Sequence, residues 1–216
     1  MTELYALTGT PGVGKSTVAR SLARIRKGEG SRAPTLHIME VGELPGSAPL
    51  IGSRSPAGGR TTVQVDLARA SRAIRAWARD GSKDRRLIVG HLSHLLPIPR
   101  VLLLRCAPDE LSRRLRRNGV REPWLSQNVE AERVDLILLE ALRLRRTVYE
   151  LDATRHAPAE IARWVRSVLA GKVQPRQGTV DWLSAFPPSV KGAGQPRPGP
   201  KGRRSGFKGG RPAGPS

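Results

Sequence analysis

The chain has 216 residues, with 38 lysines and arginines against 18 acidic residues, so its formal net charge is +20. The hydrophobic fraction of 38% allows a folded core, but no apolar run approaches the roughly 18–20 residues that a membrane span needs. The single cysteine, Cys106, excludes an internal disulfide, and the N-terminus lacks a signal-peptide pattern. We expect a soluble cytoplasmic protein with no membrane role, whose charge favours a polyanionic partner such as nucleic acid.

The first 170 residues alternate between strand and helix signals. Apolar runs predict strands at residues 4–8, 35–39, 86–90, 100–105 and 147–151. Three- and four-residue apolar spacing predicts helices from the glycine-rich turn to about residue 26 and at 65–79, 108–117, 128–146 and 158–169. Strand–helix alternation with aliphatic strands is typical of an α/β protein, in which helices cover a parallel sheet.

The composition changes near the C-terminus. Residues 171–216 contain ten glycines, eight prolines and nine basic residues against one acidic residue. We therefore expect one domain over residues 1–172 and a disordered tail over 173–216, because such a segment buries too little apolar surface to offset its ordering entropy. The tail is interpreted either as a solvated extension or as an RNA-binding arm, and its "VDWLSAFPP" segment as a patch that could dock.

One motif carries chemistry on its own. Residues 9–16, "GTPGVGKS", match the complete phosphate-binding loop pattern between a predicted strand and a predicted helix. Gly12 and Gly14 allow a tight loop whose N–H groups surround phosphate oxygens. Lys15 places a positive charge beside the β- and γ-phosphates, the Ser16 hydroxyl is a ligand for Mg²⁺, and Thr17 reaches the α-phosphate. The motif predicts binding of ATP with Mg²⁺.

The motif leaves the reaction open among an ATPase, a GTPase and a small-molecule kinase. The chain has no Asn-Lys-x-Asp segment of the kind that reads guanine in GTPases, which disfavours the second of these classes.

Further segments follow the loop in a specific order: "LIVGHLSHLLP", "VLLLRCAP", "LSRRLRRNGV", "QNVEAERVD" and "ELDATRHAPAEIARWV". With the loop, they resemble the adenylate kinase isoenzyme 6 family in its archaeal form, over about three quarters of the chain. The resemblance implies a nucleoside-monophosphate-kinase fold with five parallel strands. It also implies adenylate kinase and ATPase activities, AMP or another NMP as substrate, and late maturation of the small ribosomal subunit. The implied partners are a platform ribosomal protein and pre-ribosomal RNA.

The resemblance also assigns regions and residues. The loop positions that carry over are Gly12, Gly14, Lys15, Ser16 and Thr17. The NMP-binding segment should span about residues 30–53 and the lid about 117–127. Arg54 and Arg60 are candidates for binding an NMP phosphate, or are ordinary exposed arginines.

Three positions depart from the family pattern. Val89 stands where relatives have a carboxylate that helps to hold Mg²⁺ and water, Asn118 replaces a lid arginine, and Trp124 replaces a lid lysine. Arg117 or Arg121 could substitute for the missing arginine in contacting ATP. The sequence leaves open whether another carboxylate, such as Glu40 or Asp66, replaces the one lost at residue 89.

Other polar residues have two interpretations. His91 follows a predicted buried strand, where catalytic groups of open α/β sheets gather. The resemblance implies that His91 is catalytic and positions the metal or the attacking water; the other interpretation is a histidine satisfied at a strand end. His94 is expected to be structural and Cys106 a small buried hydrophobe. Glu130 and Glu132 are interpreted as helix-capping residues that could also pair with lid arginines.

Two functional hypotheses result. The first is an ATP-dependent NMP kinase with ATPase activity, in which Lys15 stabilises the transferred phosphoryl group and His91 positions water. The alternative is an RNA- or ribosome-binding assembly factor that uses ATP as a conformational ligand, with weak or no kinase activity.

Overall fold

A computed structural model describes residues 2–26, 34–44, 47–54, 61–79 and 83–185. The strands are β1 Glu3–Thr8, β2 Leu36–Glu40, β3 Ser47–Arg54, β4 Thr61–Val65, β5 Arg85–Val89, β6 Arg100–Arg105 and β7 Thr147–Asp152. The helices are α1 Lys15–Arg26, α2 Leu67–Ala78, α3 Pro108–Arg117, α4 Trp124–Arg133, α5 Leu136–Arg143, α6 Pro158–Leu169 and α7 Trp182–Ala185. Within these residues, no helix is long and apolar enough to cross a bilayer.

The predicted five-stranded parallel sheet is confirmed. Its strand order is β2-β5-β1-β6-β7, so β1 lies at the centre between β5 and β6. In open parallel sheets of this kind, ligands bind beyond the carboxyl ends of the strands, where the strand order reverses. The glycine-rich loop follows the carboxyl end of β1 and therefore occupies this position.

Both faces of the sheet are covered, which is why its strands have mainly aliphatic centres. Tyr5 and Leu7 of β1 belong to one apolar cluster, whereas Leu4 and Ala6 belong to the other. This alternation follows from the two-residue period of a strand. The first cluster includes residues of α1, α3 and α6, and the second includes residues of α2 and α5.

The segment between β2 and α2 differs from the expectation. β3 and β4 form an antiparallel pair, which the glycine- and proline-rich composition did not predict. The predicted helix over 65–79 instead begins at Leu67, because the Asp66 carboxylate accepts a hydrogen bond from the backbone N–H of Arg69 at 2.9 Å. The predicted NMP-binding segment over 30–53 includes β2 of the central sheet, and its role stays a prediction.

The prediction of one continuous helix over 128–146 is wrong, because two helices occupy this region. α4 ends at Arg133 and α5 begins at Leu136, and between them Asp135 adopts a left-handed conformation with φ 56°. The carboxylate of Asp135 accepts a hydrogen bond from the guanidinium of Arg105, which holds the break. Aspartate tolerates this conformation better than most residues, so the break is inexpensive. The predicted lid, residues 117–127, becomes the α3–α4 connection and the first turn of α4.

The domain continues beyond the expected boundary at residue 172. Arg176 forms a bridge with Tyr149, and its carbonyl accepts a hydrogen bond from the backbone N–H of Glu150 at 3.0 Å. The Glu150 carboxylate accepts hydrogen bonds from the N–H of Thr179 at 2.7 Å and from its hydroxyl at 3.1 Å. Val180 is buried. Residues 173–185 are therefore part of the packed domain, and the rest of the predicted tail, 186–216, lies outside the described residues.

Candidate functional site

The loop between β1 and α1 requires glycine at two positions. Gly9 has φ 139°, and a Cβ atom there would lie 2.4 Å from the carbonyl oxygen of Leu104. Gly12 has φ 96°, and a Cβ atom there would lie 2.8 Å from a methyl group of Leu115. Positive φ angles in this range favour glycine. The loop can therefore follow its path only with the glycines that the motif supplies.

Lys15, the predicted phosphate-binding lysine, is buried and folded back over the loop. Its Nζ donates hydrogen bonds to the carbonyl oxygens of Gly9 at 2.7 Å and Thr10 at 3.0 Å. Burial lowers the pKa of Lys15 to about 8, although the carboxylates of Glu132 and Glu40 oppose this shift. Lys15 is therefore still mostly protonated at neutral pH, and an incoming phosphate would replace the loop carbonyls as its partner.

A cavity of about 550 Å³ opens above the loop. The sequence-predicted site residues that line it are Gly12, Gly14, Lys15, Ser16, Thr17, His91, Arg117 and Asn118. Arg121 is exposed and is not among the residues that line the cavity, so of the two candidates for the missing lid arginine only Arg117 is in place. The structure thus brings together nearly all of the residues selected from the sequence.

His91 lies where β5 ends, on the cavity wall. Desolvation by the surrounding protein, aided by the positive charge of Lys15, lowers the pKa of His91 to about 4. The imidazole is therefore neutral at pH 7 and can exchange a hydrogen bond with a ligand or water, but adds no positive charge.

His94 is structural, as expected. It is buried, with Nδ1 3.2 Å from the hydroxyl of Thr8 and Nε2 2.8 Å from the Glu140 carboxylate. Thr8 Oγ1 also lies 3.2 Å from the backbone oxygen of His91. His94 and Thr8 therefore hold the turn that carries His91.

Arg114 is a cavity residue that the sequence did not single out from its neighbours. Its guanidinium donates hydrogen bonds to the backbone oxygens of Val13 at 3.2 Å and Thr154 at 2.8 Å, and to the Glu110 carboxylate at 2.7 Å. It thereby joins the phosphate loop to the loop between β7 and α6. Helical spacing could have found it, because residues three and four apart share a face and Arg114, Arg117 and Asn118 all line the cavity.

The cavity is strongly cationic. Its lining includes Lys15, Arg20, Arg114 and Arg117, and Glu40 is the only acidic residue among the described residues that line it. Such a wall suits a ligand with several negative charges. Asp66, the other carboxylate considered from the sequence, is instead the N-cap of α2.

Glu132 is not a capping residue, contrary to the expectation. Its side chain is buried, and one carboxylate oxygen accepts hydrogen bonds from Arg105 Nε at 2.8 Å and from the backbone N–H of Cys106 at 3.0 Å. The other oxygen accepts a hydrogen bond from the hydroxyl of Thr10 in the phosphate loop. Arg105 also donates to Glu150 at 2.8 Å and to Asp135. We call Arg105, Glu132, Asp135 and Glu150 the buried ionic cluster.

The remaining predicted residues have simpler places. Glu130 is exposed and pairs with Arg133 on its own helix. Cys106 is buried, which confirms the small buried hydrophobe, and burial raises the pKa of its thiol to about 12. Trp124 is 47% exposed at the start of α4. Arg60 and the side chain of Arg54 lie outside the described residues.

A phosphate loop after the central strand of a five-stranded parallel sheet defines the class of P-loop nucleotide-binding proteins, with a fold like that of the nucleoside monophosphate kinases. A family model described as "AAA domain" matches residues 6–135. A solved gluconokinase from Sinorhizobium meliloti 1021 is similar at 20% identity and a TM-score of 0.48, covering 78% of this chain and 92% of its own.

Sequence comparison finds relatives of higher identity than this solved structure. A protein of Pyrococcus abyssi named "Putative adenylate kinase" is 35% identical over 184 residues, which cover 85% of this chain and 93% of the relative. A protein of the same name from Archaeoglobus fulgidus is 35% identical over 185 residues, covering 84% and 92%. The chain therefore belongs to the AAA-domain family and to the family of these archaeal proteins.

Proposed function

We propose that this chain is an ATP-dependent nucleoside monophosphate kinase that transfers phosphate to AMP or another NMP and also hydrolyses ATP. The observation that carries the proposal is the complete phosphate loop at a cationic cavity large enough for a nucleotide. The name shared by the archaeal relatives supports adenylate kinase activity in particular.

The residues of the cavity have distinct roles in this reaction. The backbone N–H groups from Gly12 to Thr17 bind phosphate oxygens at the N-terminus of α1. Lys15 and Arg117 stabilise the charge of the transferred phosphoryl group, which is the main demand of phosphoryl transfer. The neutral imidazole of His91 orients a water molecule when ATP is hydrolysed.

The donor set also suits a hard divalent cation. The hydroxyl of Ser16 on the cavity wall is an oxygen ligand of the type that Mg²⁺ prefers. Mg²⁺, when bound, neutralises negative charge on the phosphates.

The proposal is tested by measuring ADP and inorganic phosphate formed from ATP and Mg²⁺, with and without AMP. A kinase produces ADP in an AMP-dependent manner, whereas an ATPase releases phosphate without AMP. Replacing AMP by other monophosphates gives the acceptor preference. The Lys15→Ala variant is the control, and ADP formation that is independent of every monophosphate would reject the kinase.

A second function is favoured by the charge of the chain. The net charge of +20 and the apolar residue at position 89 support an assembly factor that binds RNA or a ribosomal particle and uses ATP as a conformational ligand. The resemblance to adenylate kinase isoenzyme 6 suggests the maturing small ribosomal subunit, with a platform ribosomal protein and pre-ribosomal RNA as partners. Salt-dependent RNA binding combined with slow, AMP-independent turnover would favour this function.

A further inference from the structure

The carboxyl end of β5 carries no carboxylate side chain. Val89 is 1% exposed and packs in the apolar cluster that includes Leu7 and Val18. The phosphate loop therefore lies beside a hydrocarbon side chain at the position where the family resemblance leads us to expect a carboxylate.

Glu40 lies next to this position on the neighbouring strand. Leu7 pairs with Val89 across β1 and β5, and Val89 pairs with Glu40 across β5 and β2. Side chains at paired positions of a parallel sheet project from the same face, so these three residues form a row across the sheet. Adjacent strands are about 4.8 Å apart, and a glutamate side chain is one methylene longer than an aspartate. The additional methylene therefore spans only part of the distance between neighbouring strands.

Glu40 is also in electrostatic contact with the site. Its charge opposes the effect of burial on the pKa of Lys15, the lysine predicted to bind phosphate. It lines the same cavity as Ser16. The N–H of Glu40 donates a hydrogen bond to the Glu43 carboxylate at 2.8 Å, which fixes the turn that follows β2.

Three other carboxylates of the domain have different partners. Glu132 is held in the buried ionic cluster, Asp66 caps α2, and Asp152 accepts a hydrogen bond from the N–H of Thr154 at 2.9 Å. Glu40 is the remaining candidate, and it is the only acidic side chain among the described residues of the cavity wall.

We propose that Glu40 supplies the carboxylate oxygen that, together with the Ser16 hydroxyl, holds the divalent cation on the nucleotide phosphates, in place of a carboxylate at position 89. This assignment rests on the proposed function, because it requires a nucleotide in the cavity. Mg²⁺ is commonly held by one or two carboxylates together with substrate phosphates, which matches this donor set. The metal ligand has thus moved by one strand along the same edge of the sheet.

The test measures nucleotide and metal binding rather than turnover. Calorimetry gives the dissociation constant of ADP with EDTA and with Mg²⁺, and electron paramagnetic resonance gives that of Mn²⁺ for the protein–ADP complex. Glu40→Gln should weaken Mn²⁺ binding by about 10- to 100-fold, the range found when groups that support a metal are removed. Metal-free ADP should bind the variant equally well or more tightly, because a negative charge near the phosphates is lost.

Glu43→Gln is the matched control, since it removes a charge three residues away, keeps a side-chain oxygen that can accept the N–H of Glu40, and alters a residue that does not line the cavity. It should retain wild-type Mn²⁺ affinity. If wild-type protein binds ADP and Glu40→Gln keeps the same Mn²⁺ affinity, the assignment of Glu40 is wrong and the proposed function stands. If wild-type protein binds ADP neither with nor without metal, the proposed function itself is wrong, and the assignment with it.

Discussion

Removal of the Glu132 carboxylate should destabilise the domain strongly, because three donors would lose their acceptor together. These donors are the hydroxyl of Thr10, Arg105 Nε at 2.8 Å and the backbone N–H of Cys106 at 3.0 Å. The side chains of Arg105 and Glu132 are each 2% exposed, so these contacts are shielded from bulk water. Loss of one partner from a buried ion pair costs about 3–5 kcal/mol.

Two features of the cluster adjust this magnitude in opposite directions. Arg105 retains Glu150 and Asp135, so its charge stays compensated and the ion-pair contribution is reduced. Each of the other two donors, if left buried without an acceptor, adds about 1–3 kcal/mol. We therefore expect Glu132→Ala to lower the free energy of unfolding by about 3–5 kcal/mol.

The assay is urea-induced unfolding followed by circular dichroism, with Glu130→Ala as the matched control. Glu130 lies two residues away on the same helix, but its side chain is 56% exposed and its partner is Arg133 on that helix. We expect little change in the control. Glu132→Gln, which keeps the volume and one acceptor oxygen, should have an intermediate effect. Equal and small losses for the two alanine variants would refute the reasoning.

Three further results are expected. Lys15→Ala should weaken ADP binding. The affinity of the wild-type protein for ADP should fall as pH rises through about 8, because Lys15 binds phosphate only when protonated. A wild-type affinity that does not change with pH would contradict this. Arg114→Ala should reduce nucleotide affinity, because it removes the side chain that joins the phosphate loop to Thr154. Arg113→Ala is the control and should leave the affinity unchanged, since its side chain is 71% exposed. Equal effects of the two variants would contradict the role of Arg114. Residues 186–216 carry seven basic residues and no acidic ones. Their deletion should weaken RNA binding and reduce its salt dependence, while ATP turnover stays the same. An unchanged salt dependence would reject an RNA-binding arm.

The parts of the fold that were predictable are those coded by local sequence. The loop motif fixed the end of β1 and the start of α1, and the helix over 158–169 has the expected bounds because Pro158 starts it and its apolar spacing is regular. The five parallel strands were also predictable, because each coincides with an apolar run in the local sequence.

The parts that were missed depend on contacts between distant segments. The break between α4 and α5 at Asp135 is held by Arg105. The burial of Glu132 depends on Thr10, which lies 122 residues earlier in the sequence. A charged residue in an amphipathic helix pattern is typical of an exposed surface, so local periodicity gave no sign of this cluster. Glu40 could be considered from the sequence, but its position beside Val89 depends on strand register, which residue spacing along the chain does not specify.

The central claim is transfer of the terminal phosphate of ATP to a nucleoside monophosphate. The most direct measurement follows the label from γ-³²P-ATP after incubation with Mg²⁺ and AMP, with nucleotides and inorganic phosphate separated by chromatography. We expect the label in ADP, in an amount that depends on AMP and is lost in Lys15→Ala. Label found only in inorganic phosphate, at a rate that AMP does not change, would contradict the kinase.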